Sequence, residues 1–136
     1  MNTLFINTDA FSALNIYDHP HHGKAIAFVN DLFSQTVKLY TSHAVVTHVA
    51  EKIRRKQGYP KMLQFINLIQ TGGFSVLYED EVVFERASKR LLENKTVAKM
   101  RLVDAIVVEH MMMWGVKDVF TFRQEFKKCN VITWPK

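Results

Sequence analysis

The sequence predicts an α/β fold: a parallel central sheet of four or five strands with helices on both faces, a three-layer α/β/α arrangement. Three observations carry that expectation. Short apolar, β-rich runs alternate with stretches of helical period along the whole length. Cap and stop residues fall between them. No internal repeat, low-complexity tract or linker interrupts the alternation, so residues 1–136 read as one domain.

"TLFIN" (3–7) is the first strand, and the "TD" after it suits a helix N-cap ahead of a short helix over 10–16. "YDHPHHG" (17–23) is a loop broken by Pro20 and Gly23. From Lys24 to Gln35, Ala25, Phe28, Val29, Leu32 and Phe33 recur at helical spacing. "VKLYT" (37–41) is the second strand, and Ser42 caps a helix that runs to the stop at Gly58. Pro60 opens the next helix, where a missing N–H does no harm; Leu63, Phe65, Ile66 and Ile69 are expected to face inward. Gly72-Gly73 ends it. "FSVLY" (74–78) is the third strand, and 79–94 is an amphipathic helix with acids first and bases later, as the macrodipole favours. The apolar helix "RLVDAIVVEHMMMW" (101–114) stops at Gly115. "DVFTF" (118–122) is the fourth strand, 123–128 a short turn, and "VITW" (131–134) a possible edge strand.

The chain is 48% hydrophobic and 23% charged, the balance of a soluble globular protein. No apolar run reaches the roughly 18 residues of a membrane span, and "MNTLFINTDAF" does not read as a signal peptide. The single cysteine, Cys129, excludes an internal disulfide framework and fits a reducing cytoplasm. A net charge of +5 allows polyanion binding without showing it.

Asp104 stands in the first turns of an otherwise apolar helix. A carboxylate there must be paired, hydrogen-bonded, bound to a metal or placed at the mouth of a cleft, because burying it bare is too costly. In a parallel sheet ligands gather at the carboxyl ends of the strands. The residues to inspect are therefore Asn7 to Asp9, Thr41 to Ser42 and Thr121 to Glu125.

"LFINTDAFSAL", "DHPHHGKAIAF", "TSHAVVTHVAEKI" and "RLVDAIVVEHMMMWGVKDVFTFRQEF" are, in this order and spacing, similar to the successive landmarks of a PIN domain. The likeness covers nearly the whole chain and is to the small bacterial or archaeal kind, which includes the ribonuclease toxins of toxin–antitoxin pairs. The resemblance implies a compact α/β fold whose cleft holds Mg²⁺ or Mn²⁺ on carboxylates and cuts RNA. It also implies an aspartate ending the first strand, a glutamate in the helix after the second, an aspartate opening the later apolar helix and another after the fourth strand. Here those places hold Asn7, His48, Asp104 and Arg123. Only Asp104 keeps the family's residue.

A hydrolytic Mg²⁺ site offsets the metal charge with hard oxygen ligands. Asn7 offers a neutral and weaker oxygen, His48 favours softer metals, and Arg123 repels a cation. The conventional metal site is expected to be absent. Asp104 is instead expected to be neutralised by Arg123, with Asn7 or Thr8 donating further hydrogen bonds, so that a guanidinium takes roughly the place of a metal.

Asp9, Glu51 and Glu125 stand near the lost carboxylates, and Asp9, Glu51 and Asp104 converging would make a displaced metal site. A cap, a surface position and a solvated turn are the blander and weightier readings of these acids. His19, His21 and His22 lack the spacing of a metal cluster and read as loop residues. His48 has the pKa range of an acid or base but no visible partner. Lys52, Arg54, Arg55, Lys56 and Lys61 around Tyr59 suit RNA phosphates with tyrosine stacking, or equally a solvated helix end. Met111 to Met113 read as core or a dimer contact, and Cys129 as inert.

The expected function is a PIN-like module, non-catalytic or weakly active, without a cofactor. Its expected partners are RNA, a second copy of the chain, or a small antitoxin-like protein. The alternative is an Mg²⁺- or Mn²⁺-dependent endoribonuclease of the toxin–antitoxin type using Asp104 with Asp9 and Glu51.

Overall fold

The computed structural model describes residues 1–93 and 99–136. Its sheet has five parallel strands in the order β3-β2-β1-β4-β5, where β1 is Thr3–Ile6, β2 Lys38–Ser42, β3 Ser75–Leu77, β4 Asp118–Phe120 and β5 Ile132–Trp134. The central strand, β1, is the most apolar: Leu4, Phe5 and Ile6 are buried. The edge position read for 131–134 is that of β5.

Among the described residues six α-helices connect the strands: α1 Thr8–Asn15, α2 His22–Leu32, α3 His43–Gln57, α4 Tyr59–Thr71, α5 Glu81–Glu93 and α6 Leu102–Trp114. A 3₁₀ helix, Gln124–Lys128, fills the turn read over 123–128. Alternation along β1 separates the layers. Ile6 points toward α1, α2 and α4, beside Phe11, Val29 and Leu68, whereas Phe5 points to His110 on α6. α5 packs on α6, and α3 touches α1, α4 and α6.

α6 is buried from Asp104 to Met111, on every side. That explains its lack of a polar face: it lies between the sheet and its neighbours. Arg90 of α5 donates to the Glu109 carboxylate at 2.9 and 3.1 Å, pairing the one other acid of this helix. Gly115 ends α6 with φ +68°, the left-handed conformation that glycine adopts freely.

Several local expectations are corrected. α1 begins at Thr8, so Asp9 lies inside its first turn and is not its cap. Ser42 precedes α3, but its hydroxyl makes no cap bond and meets His110 instead. On α4 the buried residues are Met62, Phe65 and Ile69, whereas Leu63 and Ile66 are exposed, as is Phe33 after α2. Met111 is core, but Met112 and Met113 are exposed. Asn94, the last residue of the helix read over 79–94, lies outside the described residues.

Candidate functional site

The carboxyl ends of β1 and β4 and the first turn of α6 meet around Asp104, which is fully buried. Arg101, the extended residue just before α6, donates its backbone N–H to Asp104 Oδ2 at 3.1 Å. Its side chain then folds back over the same carboxylate, Nε to Oδ2 at 3.0 Å and Nη2 to Oδ1 at 2.9 Å. Arg123, beyond β4, brings its Nε to 3.0 Å from Oδ2 as an ion pair, although that N–H is not aimed for a hydrogen bond. Asn7 Nδ2 lies 3.2 Å from Oδ1. Burial alone would push the Asp104 carboxyl up; the hydrogen bonds and charge of Arg101, with the charge of Arg123, outweigh it and hold the group below the ordinary carboxylate range.

The expected Asp104–Arg123 pair is therefore present, and so is the Asn7 contact. Thr8 differs: its hydroxyl accepts from Arg101 Nη2. Arg101 was missed by sequence reasoning, although an arginine three residues before an acid at a helix start is a legible i,i+3 signal.

Asp9 sits one step away. Its carboxylate accepts from Thr121 Oγ1 at 2.8 Å, from the Phe122 backbone N–H and from Asn7 Nδ2 at 3.2 Å. Asn7 thus bridges Asp9 and Asp104 through its amide nitrogen, with Oδ1 buried and, among the described residues, without a partner. Three acceptors around one NH₂ fix the orientation of that amide.

Above this floor lies a cleft of about 280 Å³, walled by Arg101, Arg123, Lys52, His48, His19 and His21. Burial and the surrounding positive charge both disfavour protonation of its walls. Burial, then Arg101 and Lys56, push Lys52 below the usual lysine range. Burial, then Arg101 and Lys52, push His48 down, and burial, then Lys52, push His19 down. His48 is neutral near pH 7, and its Nε2 accepts from Arg101 Nη1 at 3.3 Å, so the lone pair a base would use is engaged.

The remaining candidates lie elsewhere. Glu51 is exposed and paired with Arg54 at 2.9 Å, outside the cleft lining. Glu125 stands 3.7 Å from Arg123 Nε. Arg55, Lys56, Tyr59 and Lys61 are exposed along α3 and α4, and of the basic run only Lys52 reaches the cleft wall. His22 opens α2 and contacts the Ala13 carbonyl at 2.6 Å. Cys129 is half-buried, and burial raises its thiol. Ser42 at the end of β2 and His110 on α6 lie 2.5 Å apart, but both are buried and neither lines the cleft.

Solved structures match this architecture over nearly its whole length. VapC20 of Mycobacterium tuberculosis, a toxin that cleaves the sarcin-ricin loop, superposes with a TM-score of 0.85 at 19% identity, covering 95% of this chain and 96% of that one. The fold is that of a PIN domain. FitAcB of Neisseria gonorrhoeae shares the PIN fold at TM-score 0.68 and 15% identity, over 97% of this chain and 96% of its own. VapBC2 of Rickettsia felis, bound to a DNA fragment from their promoter, does so at 0.70 and 11%, over 98% and 99%. No family model and no curated protein matches the sequence.

The donor set of this PIN-fold cleft does not fit a divalent ion. Both oxygens of Asp104 carry guanidinium donors within 3.0 Å, where a metal would need them free. The Asp9 oxygens point to a hydroxyl and a backbone N–H. A dication placed here would meet Arg101, Arg123 and Lys52. An anion would find donors instead.

Proposed function

We propose that this chain is a PIN-fold module of the toxin–antitoxin type whose strand-end cleft grips the phosphate backbone of RNA with arginine and lysine, without cutting it. The observation that supports this most directly is the buried Asp104 carboxylate, clamped by Arg101 and approached by Arg123 in place of a metal. Asp104 takes the Nε–Nη2 edge of Arg101, so among the described residues Lys52 is the cation of this opening without an ion pair, with Arg101 and Arg123 beside it. Anisotropy titration of labelled single-stranded RNA tests it. The reading expects affinity that falls with salt, at a log–log slope of about −0.7 for each phosphate neutralised on a single strand. Cleavage that stops with EDTA would instead favour the Mg²⁺- or Mn²⁺-dependent endoribonuclease using Asp104 with Asp9 and Glu51.

A protein partner is the second part of the reading. Leu14, Val29, Leu32, Leu39 and Phe74 line an apolar groove of about 510 Å³ between α1, α2 and α4, and Phe33 at its rim is 80% exposed. Such a groove suits the apolar face of a helix from a small antitoxin-like protein. Met112, Met113 and Trp114, exposed together at the end of α6, suit contact with a second copy of the chain. Sedimentation of the purified chain distinguishes a dimer from a monomer. Phe33→Ser is expected to abolish co-purification with a partner encoded beside it and to leave the sedimentation coefficient unchanged.

A further inference from the structure

The strand-end cleft does not stand alone. His21, Phe122 and Arg123 line it on one side and a second pocket, of about 540 Å³, on the other. The second pocket opens over the β4–β5 edge and carries Lys24, Lys127 and Lys136 against one acid, Asp31. Among the described residues none of these three lysines is in an ion pair. Between the two cationic pockets, the rings of His21 and Phe122 stack with centroids 4.4 Å apart and an interplanar angle of 9°. The ridge is held in place: the Phe122 N–H donates to Asp9, and the Phe122 ring meets Phe120 edge-on at 5.9 Å.

We infer that the two pockets form one track for single-stranded RNA, with a base stacked on the His21–Phe122 ridge and a flanking phosphate among Lys24, Lys127 and Lys136. The inference rests on the cleft reading above and adds the direction the strand takes. Its chemistry is that of single-strand recognition, in which cationic grooves hold the backbone and aromatic faces hold unpaired bases. A free phosphate would need one pocket and no ring. A duplex keeps its bases stacked on each other, so the ridge would have nothing to take.

The track sets an expectation that the cleft alone does not. Labelled RNA of about three nucleotides should occupy the cleft, and RNA of about ten nucleotides should cross the ridge into the second pocket. The paired substitution Lys24→Gln with Lys127→Gln, at two exposed positions, is expected to weaken the longer RNA about tenfold. It should reduce the steepness of its salt dependence by about 1.4 on the log–log scale, as two phosphate contacts on a single strand give. The short RNA should bind it as it binds the unaltered chain. Phe122→Leu keeps an apolar side chain against Phe120 but removes the ring, and should weaken the longer RNA about tenfold as well. If the longer RNA binds the lysine variant unchanged while Lys52→Gln weakens both lengths, the second pocket is not on the path and the cleft reading survives. If neither RNA binds the unaltered chain, both fall together.

Discussion

The charge balance at Asp104 is set by two arginine side chains with unequal roles. Arg101 gives the carboxylate two side-chain hydrogen bonds and its backbone N–H, whereas Arg123 gives proximity without an aligned bond. Removing the acid leaves two partly exposed guanidinium groups at the cleft wall without their counter-charge. Asp104→Ala is therefore expected to destabilise the fold by about 2 kcal/mol in urea unfolding. Arg101→Met should cost more than Arg123→Met in the same measurement, since only the former empties aligned donors. The pH dependence follows from the lowered Asp104 carboxyl. A carboxyl whose folded pKa lies below its unfolded value, near 3.9, contributes stability that is fully present above that value. The contribution is lost as pH falls through the folded pKa. Urea midpoints should thus drop below about pH 4 in the native chain, and Asp104→Asn should flatten that part of the profile. The sequence showed that an acid among Leu102, Val103, Ala105 and Ile106 needs a pair, a hydrogen bond, a metal or a cleft mouth, without choosing among them. The i,i+3 spacing of Arg101 and Asp104 was legible, but spacing alone does not tell a clamp over a buried acid from a surface pair.

At the scale of elements, the alternation of strands and helices was legible almost throughout, since each strand is a short β-rich run bounded by a turn residue or a cap. The faces of the helices were less so. α4 carries apolar residues at Met62, Leu63, Phe65, Ile66, Leu68 and Ile69, and sequence cannot choose which stripe meets α1 and α3. The chain buries Met62, Phe65 and Ile69, leaving Leu63, Ile66 and Leu68 to solvent. Two glycines separate conformation from space. Gly115 holds φ +68° at the end of α6, and a Cβ there meets nothing within 4 Å, so the cost of an alanine is the left-handed backbone alone. Gly115→Ala is expected to lower stability by about 1 kcal/mol. Gly23→Ala, in the first turn of α2 with open space around it and no positive φ, should be neutral or slightly stabilising by thermal unfolding.

Across the whole molecule, a net charge of +5 gathers meaning from its placement. Composition could not say whether the excess was a bland surface, and the basic run after His48 drew attention to α3. The cleft draws its cations from three separate places: Lys52 on α3, Arg101 before α6 and Arg123 after β4. Such a gathering has no local sequence signal, because the sheet, not the chain order, brings these residues together. Asn7, His48 and Arg123 were readable as departures from an acidic site only beside the PIN resemblance; their joint effect, a donor-lined opening, needed the geometry. Neutralising Lys52 with Gln is accordingly expected to weaken RNA binding about uniformly across sequences and to reduce the salt slope by about 0.7, one phosphate on a single strand, in anisotropy titrations. Arginine side chains thus hold the Asp104 carboxylate against a divalent ion, and anomalous diffraction from a crystal soaked in millimolar MnCl₂ is the direct test. No manganese peak is expected beside Asp104, with Arg101 still on both of its oxygens. A peak at about 2.2 Å from an Asp104 oxygen, with the guanidinium groups displaced, would contradict it.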